Sequence, residues 1–172
     1  RLGPEELALV ERGFGDAARA RQLGLANPDL EEWGPKVEAM LQRRGNPAMA
    51  AEKEKGRLLA EAEATQPGAE RLPSGVVVRS LRAGAGPNPG PADRIRVKYQ
   101  GRVAGGAVFD QSPSTDLPLG QVIACWTQGL QRLKVGGSAR LVCPSPTAYG
   151  DQGRPPQIPG GATLVFEVEL LE

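Results

Sequence analysis

The residues best suited to form a binding site in this chain are its aromatic side chains. Only seven of the 172 residues are Phe, Trp or Tyr, and five of those seven come after residue 98. Aromatic rings are the largest apolar surfaces that a chain can bury. The chain has no histidine, which excludes Ser-His-Asp and Cys-His nucleophile systems, histidine general bases and histidine-ligated zinc. Any chemistry in this chain must therefore proceed without an imidazole.

The two cysteines, Cys125 and Cys143, are the other notable side chains, and they are too few for a four-cysteine metal site. Cys125 precedes a predicted short helix and Cys143 ends a predicted strand, so the two could meet at one edge of a domain. A disulfide between them would close a loop of about 18 residues, stabilise the fold by about 3 kcal/mol and suit an oxidising compartment. The alternative is a pair of buried free thiols.

The overall composition narrows the classes of partner. A net charge of +1 gives no electrostatic footprint for nucleic acid. No stretch approaches 18 consecutive apolar residues, so we expect no membrane span. The chain begins at Arg1 and not at a methionine, which leads us to expect a processed or trimmed form.

The first third of the chain has the periodicity of helices. Apolar residues recur at spacings of three and four over 4–23 and again over 30–41, and residues 48–65 are rich in helix formers. Three such helices bury little surface alone. We therefore expect the segment to pack on the second domain or on another copy of itself, the alternative being a monomeric helical appendage.

From residue 73 the pattern changes to that of strands and turns. This part holds 11 of the 16 prolines and 15 of the 23 glycines, and polar and apolar residues alternate over 94–100, which is typical of a half-buried strand. Gly105-Gly106 is a hairpin signal. Further strands are predicted at 76–78, 139–142 and 164–171, with a short helix around Trp126 between them. The pattern predicts an α+β domain of about 100 residues.

The order of short motifs in this domain resembles the FKBP family of peptidyl-prolyl cis-trans isomerases. The motifs that carry the resemblance are Val97-Lys98-Tyr99-Gln100-Gly101, Gly106, Phe109-Asp110-Gln111-Ser112, Leu119-Gly120-Gln121-Val122-Ile123, Trp126, Gly129-Leu130, Ala148-Tyr149-Gly150, Ile158-Pro159 and 164–171. Their order and spacing match over about 95 residues. The resemblance implies a curled antiparallel sheet around a short helix, with a shallow apolar pocket between them.

Carried over position by position, the resemblance predicts the residues of this pocket. The catalytic set is Tyr99, Phe109, Asp110, Ile123, Tyr149 and Phe166, and the substrate-binding set is Val122, Trp126, Ile158 and Leu117. Trp126 would form the floor under a proline ring. The Ile123 backbone N–H and the Tyr149 hydroxyl would hold substrate carbonyls. Asp110 would either bias the polarity of the twisted bond or fix Tyr99 by a hydrogen bond. Leu117 stands where the family usually has Phe.

The implied reaction is rotation about an X-Pro amide, which requires no cofactor, no metal and no proton transfer. The partners would be proline-containing peptides or unfolded clients, and macrolides such as rapamycin would bind the same pocket. The alternative function is a chaperone-like dimer that holds clients, with isomerisation secondary.

The segment before the pocket domain adds a second resemblance, to the two-domain Mip-like and FkpA-like bacterial members of the family. It implies a helical homodimerisation domain over 1–68, a linker and first strand over 69–92, and an isomerase core over 93–172, the whole second domain being about 73–172. Those relatives also favour a periplasmic location, with a cytoplasmic bacterial protein as the alternative.

Overall fold

The computed structural model of the protein describes residues 47–172, so the helices predicted over 4–23 and 30–41 lie outside the described residues. The first described element, α1, spans Pro47–Ala64, and the helix predicted over 48–65 is confirmed to within one residue at each end. Pro47 opens the helix, where a missing N–H costs nothing. Gly68, with a φ of 77°, turns the chain back into the first strand.

Six strands follow α1 and form one antiparallel sheet, in the order β1-β2-β5-β6-β3-β4. The strands are β1 (Ala69–Arg71), β2 (Val77–Arg82), β3 (Arg94–Val103), β4 (Val108–Pro118), β5 (Ser138–Cys143) and β6 (Leu164–Leu170). A second helix, α2, spans Ala124–Leu130 and lies between β4 and β5 in the chain. The α+β prediction, with a curled antiparallel sheet and a short helix, is confirmed.

The two faces of the sheet carry separate apolar clusters. The inner face packs against α2, where Trp126 and Leu130 join a large core of buried residues from β2, β3, β5 and β6, with half-buried residues of β4 packed against it. The outer face has a smaller cluster, in which Val77, Val142 and Val165 of the sheet meet Ala60 of α1. The sheet is therefore covered on both sides. Within residues 47–172, no helix is long and apolar enough to cross a membrane.

The contact between α1 and the rest of the fold depends on small residues. A Cβ added to Gly56 would lie 1.9 Å from Thr163 Oγ1 and 2.5 Å from Thr163 Cβ. Glycine in a helix interior costs about 0.5–1 kcal/mol relative to alanine, so this position is explained by the close approach of the Thr163 side chain to the helix. Gly56, Ala60 and Glu63 are the buried residues of the helix, and their spacing places them on one face.

A buried carboxylate completes the attachment of α1. Glu63 is only 7% exposed, and its carboxylate lies 2.5 Å from Arg79 Nε and 3.5 Å from Arg140 Nε. Arg140 also faces Glu167 at 3.6 Å. The ionic cluster spans α1, β2, β5 and β6. Because a buried charge is tolerated only when it is paired, these four residues specify where α1 sits.

Replacing Glu63 by glutamine is expected to lower the free energy of unfolding by about 2 kcal/mol, since two half-buried guanidinium groups would lose their carboxylate. The exposed Glu61, which pairs with Arg57 on the same helix, is the matched control. Glu61→Gln is expected to cost less than about 0.5 kcal/mol. Urea denaturation of the three proteins measures both values, and equal losses for the two variants would contradict the assignment.

The interval 69–92, predicted to hold one strand, contains two, β1 and β2. The three residues of β1 lack the apolar alternation that marks a strand, and pairing with β2 defines them as one. Residues 47–172 form a single compact unit, so the described part of the helical segment packs on the sheet. The division into 1–68, 69–92 and 93–172 stays a prediction.

Candidate functional site

Four of the five late aromatic rings meet on the inner side of the sheet. Trp126 lies at the centre, with its ring centroid 5.0 Å from that of Tyr99 and 5.2 Å from that of Phe166. The Phe166 and Phe109 centroids are 5.8 Å apart. All three pairs are edge-to-face, the arrangement that the ring quadrupoles favour. The result is a continuous aromatic surface supplied by α2, β3, β4 and β6.

Strand register explains how the rings come together. Gly101 of β3 is paired with Phe166 of β6 on one side and with Asp110 of β4 on the other. The register then shifts, because Arg102 pairs with Val108, and Phe109 is the extra residue of a β-bulge. A bulge changes the direction of a side chain relative to the regular pleat. In this sheet the bulge lies at Phe109, where its ring approaches Phe166 across Gly101.

The Trp126 side chain occupies the base of this cluster. Only 4% of the residue is exposed, and Trp126 and Thr127 both donate their backbone N–H to the Ile123 carbonyl, at 2.9 and 3.2 Å. Within the described residues the indole Nε1 has no hydrogen-bond partner. Trp126 is therefore a nearly buried ring at the base of the cluster.

A hydrogen bond joins Tyr99 to Asp110. The Tyr99 hydroxyl donates to Asp110 Oδ2 at 2.8 Å, while Asp110 itself is exposed at the rim. Burial of the phenol, and secondly the hydrogen bond to this carboxylate, raise the pKa of Tyr99 to about 12. Of the two roles considered for Asp110, fixing the Tyr99 ring is the one for which the structure contains a contact.

The raised pKa of Tyr99 predicts a specific response to alkali. In the unfolded chain tyrosine ionises near pH 10, whereas in the folded protein Tyr99 keeps its proton up to about pH 12. The contribution of Tyr99 to stability is thus present below pH 10 and is lost as the pH rises from 10 to 12. We expect Asp110→Asn to lower the pKa of Tyr99, because it removes a negative charge.

An absorbance titration of the tyrosinate band measures this pKa, and Tyr99→Phe identifies the transition that belongs to Tyr99. A Tyr99 transition near pH 10 in the folded wild-type protein would contradict the prediction.

The remaining predicted residues surround the rings. Tyr149 follows the short 3₁₀ turn Ser145–Thr147, and Ile158 is 2% exposed and pairs with Arg154 across a small loop. A cis peptide bond joins Pro155 and Pro156 in that loop. Six of the predicted site residues are half-buried and pack against the same core: Tyr99, Phe109, Leu117, Val122, Ile123 and Tyr149. The structure thus brings every predicted apolar site residue to one core, with Asp110 attached through Tyr99.

Cys125 and Cys143 are joined by a disulfide in the structure, with a Cα–Cα distance of 5.6 Å. Both residues are fully buried. The bond connects the residue before Trp126 to the end of β5, where the chain enters the loop of Tyr149. Of the two alternatives for this pair, the structure contains the bonded one.

Comparison with known proteins places this arrangement in a family. The sequence profile described as FKBP-type peptidyl-prolyl cis-trans isomerase matches residues 86–171. Over 179 aligned positions the chain is 37% identical to the FKBP-type 22 kDa peptidyl-prolyl cis-trans isomerase of Escherichia coli, covering 99% of this chain and 84% of that protein. The chain belongs to the FKBP-type isomerase family.

Two further similarities extend beyond the profile. The crystal structure of FkpA from Escherichia coli superimposes with a TM-score of 0.74 at 32% identity, covering 100% of this chain and 82% of that one. The probable FKBP-type isomerase FkpA of Neisseria meningitidis is 40% identical over 126 residues, which are 71% of this chain. The chain spans about half, 46%, of the length of that Neisseria protein.

Two features of this candidate site were not predicted from the sequence. Gly101 was visible only as part of a motif, although a Cβ there would lie 2.6 Å from Phe166 Cε1 and 2.9 Å from Phe109 Cζ. Glu52 and Lys55 of α1 lie beside Phe109 in one cavity. Their helical periodicity gave no signal for this, because a helix pattern does not say which surface the helix covers.

Proposed function

We propose that the protein is a peptidyl-prolyl cis-trans isomerase that binds a proline ring against the surface formed by Trp126, Tyr99, Phe109 and Phe166. The observation that carries the proposal is the set of three edge-to-face contacts in a chain of this family. Proline is a compact apolar ring without an N–H. Proline can therefore bind to an aromatic surface that offers no hydrogen-bond acceptor.

The mechanism follows from the nature of the amide bond. Rotation faces a barrier of about 18–20 kcal/mol, because the twisted amide loses its resonance. Water stabilises the planar, dipolar amide more than the twisted one, so transfer into an apolar site removes part of that preference. Every reduction of about 1.4 kcal/mol accelerates rotation tenfold. No nucleophile, metal or proton transfer takes part.

Polar groups at the edge would position the substrate. The backbone N–H of Ile123 is at the start of α2, where the helix supplies no acceptor for it, and it would donate to one substrate carbonyl. The Tyr149 hydroxyl would donate to another. Val122, Ile158 and Leu117 would form the apolar rim, and Asp110 would hold the Tyr99 ring in place through the bond at 2.8 Å.

Isomerisation is tested directly with a short proline peptide, by measuring cis–trans exchange with NMR. The wild-type protein is expected to accelerate exchange, and Phe109→Ala to lose about tenfold in rate by removing one wall. Leu81, which is 48% exposed on β2, is the control, and Leu81→Ala is expected to keep the activity. A wild-type protein that leaves the exchange rate at the uncatalysed value would refute the proposal.

The helical segment gives a second candidate function, client binding by a homodimer through residues 1–68. It is supported by similarity to FkpA over the full chain. Because α1 packs on the sheet, the informative truncation begins at residue 47. A dimeric full chain, together with a monomeric 47–172 that keeps peptide activity but loses activity on a slow-refolding protein, would support it. The same oligomeric state for the full chain and for 47–172, together with equal rates of catalysed refolding, would refute it.

Two further parts of the proposal concern ligand and location. A rapamycin-like macrolide is expected to compete with peptide for the aromatic surface, although Leu117 at the rim differs from the Phe usual in the family. The periplasm is the proposed location, supported by the Cys125–Cys143 disulfide. A cytoplasmic location is the alternative, and fractionation of the producing cell distinguishes the two.

A further inference from the structure

A cavity of about 330 Å³ adjoins the aromatic surface on the side of Phe109. One wall is the hairpin between β3 and β4, with Val103, Gly106 and Ala107 leading to Phe109. The opposite walls are Gln157 and Pro159 of the Ile158 loop and, from α1, Glu52 and Lys55. The cavity therefore shares Phe109 with the candidate proline site. Side chains of α1 thus line a cavity that reaches that site.

The position of α1 over this cavity is set by tight packing on both sides. A Cβ on Gly161 would lie 2.6 Å from Met49 Cγ, and one on Gly105 would lie 3.0 Å from Lys55 Cε. Lys53 of α1 forms an ion pair of 2.7 Å with Asp151, in the loop between Tyr149 and Ile158. The first half of α1 is thus held against both the hairpin and the loop. Glu52 and Lys55 are presented to the cavity by a rigid element.

The two oxygens of the Glu52 carboxylate have different surroundings. Oε1 lies 3.4 Å from Lys55 Nζ, a long contact to a side chain that is 45% exposed. Oε2 is buried and, within the described residues, has no hydrogen-bond partner. A buried acceptor without a donor is unfavourable by more than a typical hydrogen bond contributes. The Glu52 carboxylate therefore has room for a further hydrogen-bond donor, and the strongest donors for a carboxylate are cationic groups.

We propose that this cavity is a subsite for the client residue next to proline and that it selects Lys or Arg there through Glu52. The proposal rests on the proposed isomerase function, because it takes the peptide to run over Phe109. The chain continuing from a proline held at Trp126 then meets Glu52. A lysine or arginine would pair with the partly exposed Glu52 carboxylate while its apolar stem lies along Val103 and Ala107. Glutamate at the same place would face the Glu52 carboxylate.

The test uses peptides with a single proline and Lys, Ala or Glu placed either before or after it. Affinity is measured by NMR titration and catalysis by exchange on the same samples. For one of the two positions, the wild-type protein is expected to bind the Lys peptide about three- to fivefold more tightly than the Glu peptide, as befits a partly exposed ion pair. Added salt should reduce this ratio.

Variants isolate the role of Glu52. Glu52→Gln keeps the shape of the side chain and should bring the Lys-to-Glu affinity ratio to about one. Glu61→Gln makes the same charge change on the exposed face of α1, away from the cavity, and should leave the ratio unchanged. Lys55→Gln removes the cation that competes for Glu52, so it should increase the preference for Lys.

The outcomes separate this inference from the isomerase proposal. Equal ratios in the wild type and in Glu52→Gln, or a preference for the Glu peptide, would overturn the subsite while leaving isomerisation intact. Charge-selective binding that is lost in Glu52→Gln, without any acceleration of exchange, would support the subsite and refute the isomerase function.

Discussion

Replacing Gly101 by alanine is expected to reduce isomerase activity about a hundredfold, equivalent to about 2.7 kcal/mol in the barrier. The added methyl group would lie 2.6 Å from Phe166 Cε1 and 2.9 Å from Phe109 Cζ. Distances this short force both rings to move, and rings in a packed core cannot move independently. Because Phe166 also contacts Trp126, the displacement reaches the floor of the site.

The control for this variant is Gly90→Ala. A Cβ on Gly90 would find its nearest neighbour, Asp93 Oδ2, at 3.4 Å, an ordinary contact. The Gly90→Ala variant should therefore retain the wild-type activity. Gly101→Ala is also expected to lose about 2 kcal/mol of stability through overpacking, so both properties are measured, by peptide exchange and by urea denaturation. If folded Gly101→Ala protein keeps activity within twofold of the wild type, activity does not depend on the close approach of the two rings at this position.

Removal of the disulfide is expected to lower the free energy of unfolding by about 3 kcal/mol, the entropy of closing a loop of 18 residues. The double variant Cys125→Ala/Cys143→Ala and the reduced wild-type protein should show similar losses in urea denaturation. The bond ties the start of α2 to the end of β5, so we also expect weaker activity at temperatures close to the lowered midpoint of unfolding.

Two measurements check the disulfide independently of stability. Reductant should destabilise the wild-type protein and leave the double alanine variant unchanged. Alkylation of the unreduced, denatured protein should modify neither cysteine, as seen in the mass. Two alkylated cysteines in that sample, or a wild-type unfolding curve that reductant does not move, would contradict the prediction.

The strands could be predicted because their signals are local. Alternation over 94–100 predicted β3 and Gly105-Gly106 predicted the hairpin, whereas the grouping of the rings was implied by the resemblance to a family. The helix over 48–65 was predicted from composition alone. For these strands and this helix, a residue's neighbours in the sequence are enough to indicate the structure.

What the sequence did not indicate is the surface that α1 covers. From the sequence alone, Glu63 would be expected on the exposed face of a helix. In the structure it is buried against Arg79 and Arg140, which come from two strands distant in the sequence. From the sequence alone, Gly56 would be expected only to destabilise the helix, whereas in the structure it makes room for Thr163. The cavity beside Glu52 likewise exists only when α1, the hairpin and the loop are together. Contacts between remote parts of a chain leave no periodic signal.

The two edges of the sheet have a consequence for a protein proposed to meet unfolded chains. One edge is β1, which has only three residues. The other is β4, which contains Pro113 and Pro118 and two register shifts against β3. Short strands, prolines and bulges are the features by which natural sheets prevent another chain from adding as a further strand. A client bound at the aromatic surface, as proposed, would therefore not be expected to extend the sheet or to aggregate on its edges.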